Sequence, residues 1–88
     1  MRRRAKVDAN QAQIVQALRK VGATVLHLHP LGRGAPDILA GYRGRNILME
    51  IKSAKGKLTP QEAEFMWGWK GQYCEVRTVQ EALLAIRI

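Results

Sequence analysis

Asp37, Glu50 and Lys52 are the residues of this chain whose types and spacing are best suited to joint chemistry. Two neighbouring carboxylates repel each other unless a proton or a cation lies between them. A hard divalent cation such as Mg²⁺ binds carboxylate oxygens and keeps several waters, and it can activate water toward a phosphodiester. Lys52 would hold the scissile phosphate or stabilise the developing charge. The three residues therefore predict a metal-dependent phosphodiesterase.

A β-hairpin must bring these three residues to one side of a sheet. Two segments rich in strand-forming residues flank a tight turn at Tyr42–Arg45. If the two middle residues form the turn, Asp37 faces Glu50, with their Cβ atoms about 4.5–5.5 Å apart. Lys52 follows two residues later and projects from the same side. The alternate residues then point into a core, and they are Ile38, Ala40, Ile47, Met49 and Ile51.

The rest of the chain predicts elements that hold this hairpin. A first helix begins near Asp8 and ends before Gly22. Thr59, Pro60 and Glu62 predict a second helix that starts with a capping box. The predicted order is α-β-β-β-α-β-α, and we expect an α/β fold with a central mixed sheet flanked by helices. Strands are expected at 24–29, 37–41, 46–52 and 73–77, with a last helix after Thr78.

Length and charge limit the possible functions. The 88 residues allow one domain, with a basic flexible arm at 1–7 and a folded domain at 8–88. Such a small domain buries only roughly 60% of its unfolded surface, which favours a homodimer. The formal charge of +8 favours a polyanionic partner, either nucleic acid or an anionic membrane surface.

Cysteine usage and hydropathy suggest where the protein acts. Cys74 is the only cysteine, which excludes an intramolecular disulfide and a cysteine zinc site. The basic start is not followed by the apolar run of a secretory signal, and no apolar stretch is long enough to span a bilayer. We therefore expect a cytoplasmic protein that does not act in a membrane.

Basic side chains in the loops predict contacts with DNA. They would bind phosphates and position a duplex without reading its sequence. The alternative is a solvated set with no partner, but loops beside the carboxylates would then repel DNA. The predicted DNA-binding residues are Arg33, Arg43, Arg45, Lys55 and Lys57.

Histidines and aromatic residues leave alternatives open. His27 and His29 share one face of the predicted strand, either as metal or phosphate ligands or as its polar side. Trp67 lies partly off the apolar face of its helix, so it could stack on a base or lie in a dimer interface. The residues expected in the core on that helix are Phe65, Met66 and Trp69.

The segment Gly34-Ala35-Pro36-Asp37, followed by Glu50-Ile51-Lys52 on the next strand, resembles the PD-(D/E)xK nuclease motif. Together with Leu58-Thr59-Pro60, it resembles the virus-type replication-repair nuclease (VRR-NUC) domain over residues 8–88. The resemblance implies a restriction-endonuclease-like fold. It also implies a Mg²⁺ or Mn²⁺ ion bound by Asp37, Glu50 and the backbone carbonyl of Ile51, with Lys52 as the catalytic lysine.

The resemblance extends to substrate and to two glutamines. Stand-alone members of this kind are similar to phage-encoded, dimeric nucleases that act on branched DNA such as Holliday junctions, in the host cytoplasm. Such nucleases often carry an acidic residue facing the metal on the first helix. Gln13 takes that place here and could bind a metal-linked water. The family also often has a glutamine after Leu-Thr-Pro, which makes Gln61 a candidate catalytic residue.

These observations predict a metal-dependent, structure-specific DNA endonuclease. The first alternative is a non-catalytic DNA-binding module that retains the fold, which the neutral side chain of Gln13 would permit. The second is a membrane-surface or RNA-binding protein driven by charge alone, in which the carboxylates have no role.

Overall fold

The computed structural model describes residues 10–87 as a four-stranded mixed sheet flanked by helices. In the strand order β1-β2-β3-β4, the first two pairs are antiparallel and the last is parallel. The elements are α1 (Gln11–Lys20), β1 (Thr24–His27), β2 (Ile38–Tyr42), β3 (Arg45–Ile51), α2 (Pro60–Gly68), β4 (Tyr73–Val76) and α3 (Val79–Arg87). The predicted element order is confirmed, whereas the arm at 1–7 and the start at Asp8 lie outside the described residues.

The hairpin of β2 and β3 has the predicted register. Arg43 and Gly44 have φ angles of 52° and 79°, as both central residues of a two-residue type I′ turn require. The antiparallel pairing runs without a break from Tyr42 and Arg45 beside the turn to Ile38 and Met49. The same register continued by one residue places Asp37 opposite Glu50.

The apolar face of the hairpin forms the core. Its alternate residues Ile38, Ala40, Ile47, Met49 and Ile51 are at most 3% exposed. They lie in one cluster with Ile14 and Leu18 of α1 and Ile86 of α3. Burying each large aliphatic side chain contributes about 1.5–3 kcal/mol, so this face holds the hairpin rigid and fixes which residues project from the other face.

Strand β1 is shorter than predicted. It ends at His27, and His29 begins a single 3-10 turn that contains Pro30. The chain bends there because a proline has no N–H to continue a ladder. The N–H of Leu28 still donates to the carbonyl of Asp37 at 2.8 Å. The two histidines are therefore not neighbours on one strand face.

Helix α2 begins as predicted but packs differently. Thr59 Oγ1 accepts from the N–H of Glu62, whose carboxylate accepts from the N–H of Thr59, so the capping box is present. Trp67 is 78% exposed, as expected. Trp69 was predicted to lie in the core but is 45% exposed. Its ring stacks on Phe65 at 5.5 Å instead. Phe65 and Met66, which were also expected in the core, are only half-buried, and no residue of α2 is fully buried.

Within residues 10–87, the structure contains no helix with both the length and the apolar character that a bilayer crossing requires.

Candidate active site

Asp37 and Glu50 form the centre of the site, at the end of the hairpin away from its turn. Asp37 follows the buried Pro36 and precedes β2, so the strand register directs it toward Glu50. Its Oδ2 accepts a hydrogen bond of 2.8 Å from the N–H of Ile51. Glu50 is only 2% exposed. Two carboxyl groups are thus held side by side, one of them almost fully buried.

Lys52 lies with the two carboxyl groups, as the strand alternation predicts. Its Nζ is 3.5 Å from Glu50 Oε2 and 2.8 Å from Glu62 Oε1. The side chains of Lys52 and Glu62 are 14% and 19% exposed. The cluster of Asp37, Glu50, Lys52 and Glu62, here called the acidic cluster, therefore contains three carboxyl groups and one ammonium group.

Burial and mutual repulsion disfavour the charged forms of the central pair. Burial first, and then the negative charges of Asp37 and Glu62, raise the pKa of Glu50 to about 8. Burial also raises the pKa of Asp37 and outweighs the hydrogen bond from Ile51. Burial acts in the same direction on Glu62, but the hydrogen bonds from Lys52 and Thr59 prevail and lower its pKa. A cation between Asp37 and Glu50 would relieve their repulsion.

The available donors fit a hard cation. Oε1 of Glu50 is buried and receives no hydrogen bond from an N–H or hydroxyl group of the described residues, and the carboxyl groups of Glu50 and Asp37 interact with each other. The N–H of Lys52 donates to Val76 on β4. Because the N–H and C=O of one peptide point in opposite directions, the carbonyl of Ile51 faces the β2 side, where Asp37 lies. Residues 10–87 contain no group of three or more His, Cys, Asp or Glu side chains arranged around a metal position. The candidate ligands are therefore two carboxylates and one carbonyl, with water completing the set, as Mg²⁺ commonly requires.

Glu62 and Asn10 belong to the site although the sequence reasoning did not place them there. Glu62 was interpreted only as part of the capping box, and its ion pair with Lys52 depends on tertiary packing. Asn10 donates from Nδ2 to the carbonyls of Lys52 at 3.2 Å and Arg77 at 2.8 Å. It ties the start of α1 to the ends of β3 and β4. No local pattern marks such a contact.

Gly34 seats the loop before Asp37 against the start of α2. It has a φ of 81°, and a Cβ atom there would lie 2.4 Å from the carbonyl oxygen of Gln61. The side chain of Gln61 is exposed on the first turn of α2, next to Glu62. The backbone of Gln61 thus has a clear structural role, and a catalytic role for its side chain remains a prediction.

Gln13 lies on the exposed face of α1, on the side of the helix opposite Ile14 and Leu18. This position gives no support to the expected contact with a metal-linked water. The buried glutamine of this helix is Gln11, which is 4% exposed and has Nε2 3.5 Å from His27 Nδ1. The helical spacing of Ile14 and Leu18 already marks the buried side of α1, and Gln13 lies off that side.

The predicted DNA contacts divide between the two ends of the hairpin. Lys55 and Lys57 are exposed in the loop that follows β3, and Arg33 is exposed in the loop before Asp37. These three lie at the end of the sheet that carries the acidic cluster. Arg77 anchors the lysine loop by donating to the carbonyl of Ser53 at 2.5 Å.

Arg43 and Arg45 were expected near the site, and this expectation is wrong. They lie at the turn, and Arg45, the nearer of the two, is five positions along β3 from Glu50, which corresponds to about 17 Å. The guanidinium of Arg43 lies 5.2 Å from the centre of the Tyr42 ring. Arg45 donates to the carbonyl of Ile86 at the end of α3. The same register that brings Asp37 to Glu50 places the turn at the far end.

Comparison of the chain with protein-family models, curated proteins and solved structures found no match. The case for a function therefore depends on the geometry and charge of the acidic cluster and its surroundings.

Proposed function

We propose that the chain is a metal-dependent, structure-specific DNA endonuclease of the VRR-NUC type, with a restriction-endonuclease-like fold. The observation that carries this proposal is the pairing of Asp37 with the buried Glu50, next to Lys52, at one end of the sheet. The net charge of +8 supports a polyanionic substrate. Placing the almost fully buried Glu50 beside the partly buried Asp37 costs stability unless their charges are compensated, which a bound cation would do.

Asp37, Glu50 and the carbonyl of Ile51 would hold Mg²⁺ or Mn²⁺. When bound, the ion would activate water and neutralise charge on the phosphodiester. The hydrogen bond from the N–H of Ile51 fixes one oxygen of Asp37 and leaves the other for the ion. Oε1 of Glu50, which receives no N–H or hydroxyl donor among the described residues, would supply the second carboxylate ligand. Both acids then stay ionised, since a neighbouring cation favours the charged form.

Lys52 would hold a nonbridging oxygen of the scissile phosphate and stabilise the extra charge of the transition state. Its ammonium group is already directed into the acidic cluster by Glu50 and Glu62. Because its side chain is only 14% exposed, little conformational freedom is lost when the phosphate arrives. This preorganisation is what positions a charged group for catalysis.

The basic residues beside the acidic cluster would hold the DNA backbone. Lys55, Lys57 and Arg33 are exposed at this end of the sheet, and their charges offset the repulsion between phosphates and carboxylates. A symmetric homodimer would present two sites to the two strands of a branched substrate such as a Holliday junction. Trp67 and Trp69, which are 78% and 45% exposed at the end of α2, offer apolar surface to such an interface.

A cleavage panel tests the proposal. Four-way junction, flap and linear duplex DNA would be incubated with the protein in Mg²⁺, in Mn²⁺ and in a chelator. We expect metal-dependent cleavage, with branched DNA preferred. Binding without cleavage in any metal would instead indicate the non-catalytic DNA-binding module.

Two isosteric variants connect the activity to this site. Asp37→Asn keeps an acceptor for the N–H of Ile51, and Lys52→Met keeps the aliphatic stem, so both should fold. Each should reduce cleavage at least a hundredfold, in line with the loss of one charged group from an active site. Glu64→Gln, at an exposed position of α2, is the matched control and should retain full activity. Cleavage that persists in the first two variants would overturn the assignment.

A further inference from the structure

Tyr73 lies on the same face of the sheet as Glu50 but has no part in the site described so far. It is the first residue of β4, where the parallel register pairs it with Leu48 and pairs Glu75 with Glu50. Since side chains alternate along a strand, Tyr73 and Glu50 project from one face, two positions apart on adjacent strands. The tyrosine side chain is long enough to extend along the strand direction toward the acidic cluster.

The surroundings of Tyr73 leave its hydroxyl group buried and unmatched. Its ring lies 6.3 Å from that of Phe65 on α2, in a tilted arrangement, so the helix covers it. The hydroxyl oxygen is buried and has no hydrogen-bond partner among the described residues. Oε1 of Glu50 shares both properties. Buried polar groups are nearly always partnered in folded proteins, so two unmatched polar groups on the same face of the sheet, one of them a donor, call for an explanation.

The charge of Glu50 acts on the Tyr73 hydroxyl, in keeping with their placement on one face of the sheet. Burial first, and next the charge of Glu50, raise the pKa of Tyr73 well above its usual value. Glu62, Glu75 and Asp37 act in the same direction with smaller effect. The phenol thus keeps its proton at neutral pH and remains a hydrogen-bond donor. Its strongest charged neighbour is the carboxylate that the proposed function assigns to the cation.

We propose that Tyr73 is a positioning residue, whose buried hydroxyl donates to the Glu50 carboxylate, directly or through one water, when Glu50 binds a divalent cation. The inference rests on the proposed function. Ligating carboxylates are commonly oriented by a hydrogen bond from a residue that does not touch the metal. A carboxylate ionised by a cation is a stronger acceptor than a protonated one, so the contact forms together with metal binding.

The test compares Tyr73→Phe with Tyr42→Phe, since these are the two tyrosines of the chain. Each variant loses one hydroxyl and keeps its ring, and Tyr42 lies at the hairpin turn, away from the acidic cluster. Calorimetric titration with Mg²⁺ should give about tenfold weaker binding for Y73F, the low end of the range for such groups. Y42F should bind within twofold of the parent chain. The urea midpoint of metal-free Y73F should be equal or higher, because a buried unmatched donor is removed.

A spectroscopic measurement distinguishes positioning from packing. In Y42F, Tyr73 is the only tyrosine, so an NMR label on the ring carbon that bears the hydroxyl reports on it alone. We expect that signal to move as Mg²⁺ saturates the protein. If the parent chain binds metal and cuts DNA, any one of three results would overturn the inference. These are an unchanged Mg²⁺ affinity in Y73F, an NMR signal of Tyr73 that does not move with Mg²⁺, and loss of the fold in Y73F. A parent chain that binds no divalent metal would instead overturn the proposed function, and this inference with it.

Discussion

The ammonium group of Lys52 and the carboxylate of Glu62 form an ion pair of 2.8 Å that joins the end of β3 to the first turn of α2. The same oxygen of Glu62 accepts the N–H of Thr59 at 2.9 Å. The residue that caps the helix therefore also directs the proposed catalytic lysine. A change at the start of α2 should accordingly affect both the position of Lys52 and the charge of the acidic cluster.

Glu62→Gln should separate these two roles. Glutamine can still complete a capping box, so the free energy of unfolding should fall by no more than about 1 kcal/mol, as for an ion pair near the surface. Lys52 would lose its ion pair of 2.8 Å with Glu62, and cleavage should slow by about ten- to a hundredfold, because misplacing a reacting group is costly. Steady-state cleavage and urea denaturation measure the two effects. Glu64→Gln should change neither, and an unaltered cleavage rate in the folded Glu62→Gln protein would refute the positioning of Lys52.

The metal-free protein should become less stable as the pH rises from about 5.5 to 8.5. The pKa of Glu50 is about 8 in the folded chain against an ordinary value of 4.5. Between these values the folded state retains a proton that the unfolded chain has released, so folding is increasingly disfavoured as the pH increases. The stabilising contribution of protonated Glu50 is complete below pH 4.5 and is lost as the pH rises through 8.

Urea denaturation of the parent chain and Glu50→Gln over that pH range checks the sign. Because glutamine cannot ionise, the free energy of unfolding of the variant should fall much less with rising pH. The difference between the stability curves of the two proteins isolates Glu50 from other titrating groups. Mg²⁺ should restore stability to the parent chain at pH 8 but not to the variant, by binding only the folded state. A parent chain that gains stability over this range relative to Glu50→Gln would contradict the raised pKa.

The hairpin was predictable because its determinants are local. Arg43 and Gly44 form a two-residue turn, and turn length fixes register. Once the register is set, alternation alone places Asp37, Glu50 and Lys52 on one face. The capping box at Thr59 was likewise visible, since it depends on residues three positions apart.

The errors concern features that depend on tertiary arrangement. The expected position of Arg43 and Arg45 near the site is an exception, because the predicted register itself places the turn at the opposite end of the hairpin. The distance of Gln13 from Asp37 and Glu50 depends on how α1 packs on the sheet. The ion pair between Lys52 and Glu62 joins elements whose packing no sequence period reveals. Local pattern thus predicts the strand pair that carries Asp37, Glu50 and Lys52, whereas contacts between elements are visible only in the structure.

Gly34→Ala should be strongly destabilising. The residue has a φ of 81°, and a Cβ atom would lie 2.4 Å from the carbonyl oxygen of Gln61, so the loop before Asp37 would have to move off α2. Gly44→Ala is the matched control, because Gly44 has a φ of 79° and open space around it. Gly44→Ala should lower the free energy of unfolding by about 1 kcal/mol, because of the left-handed backbone alone. Gly34→Ala should lower it by about 2 kcal/mol more, within the range for overpacking. Equal losses in thermal or urea denaturation would show that the loop does not pack against α2.

The two ends of the hairpin should contribute differently to DNA affinity. Lys55 and Lys57 lie beside the acidic cluster and Arg43 lies at the turn, so only the lysines are placed to contact phosphates around the scissile bond. The logarithm of the DNA affinity falls with the logarithm of the salt concentration, and each lost phosphate contact should make this slope less steep by roughly 1. For the double variant Lys55→Ala and Lys57→Ala we therefore expect a slope less steep by about 2, with weaker binding to every DNA sequence alike. Arg43→Asn removes a charge and keeps a residue that tolerates a positive φ, so its slope should match that of the parent chain.

Fluorescence anisotropy in Ca²⁺, which supports binding by oxygen ligands, gives the slopes. If Arg43→Asn lowered the slope and the double variant did not, the DNA would lie across the turn, and the acidic cluster could not be its cleavage site.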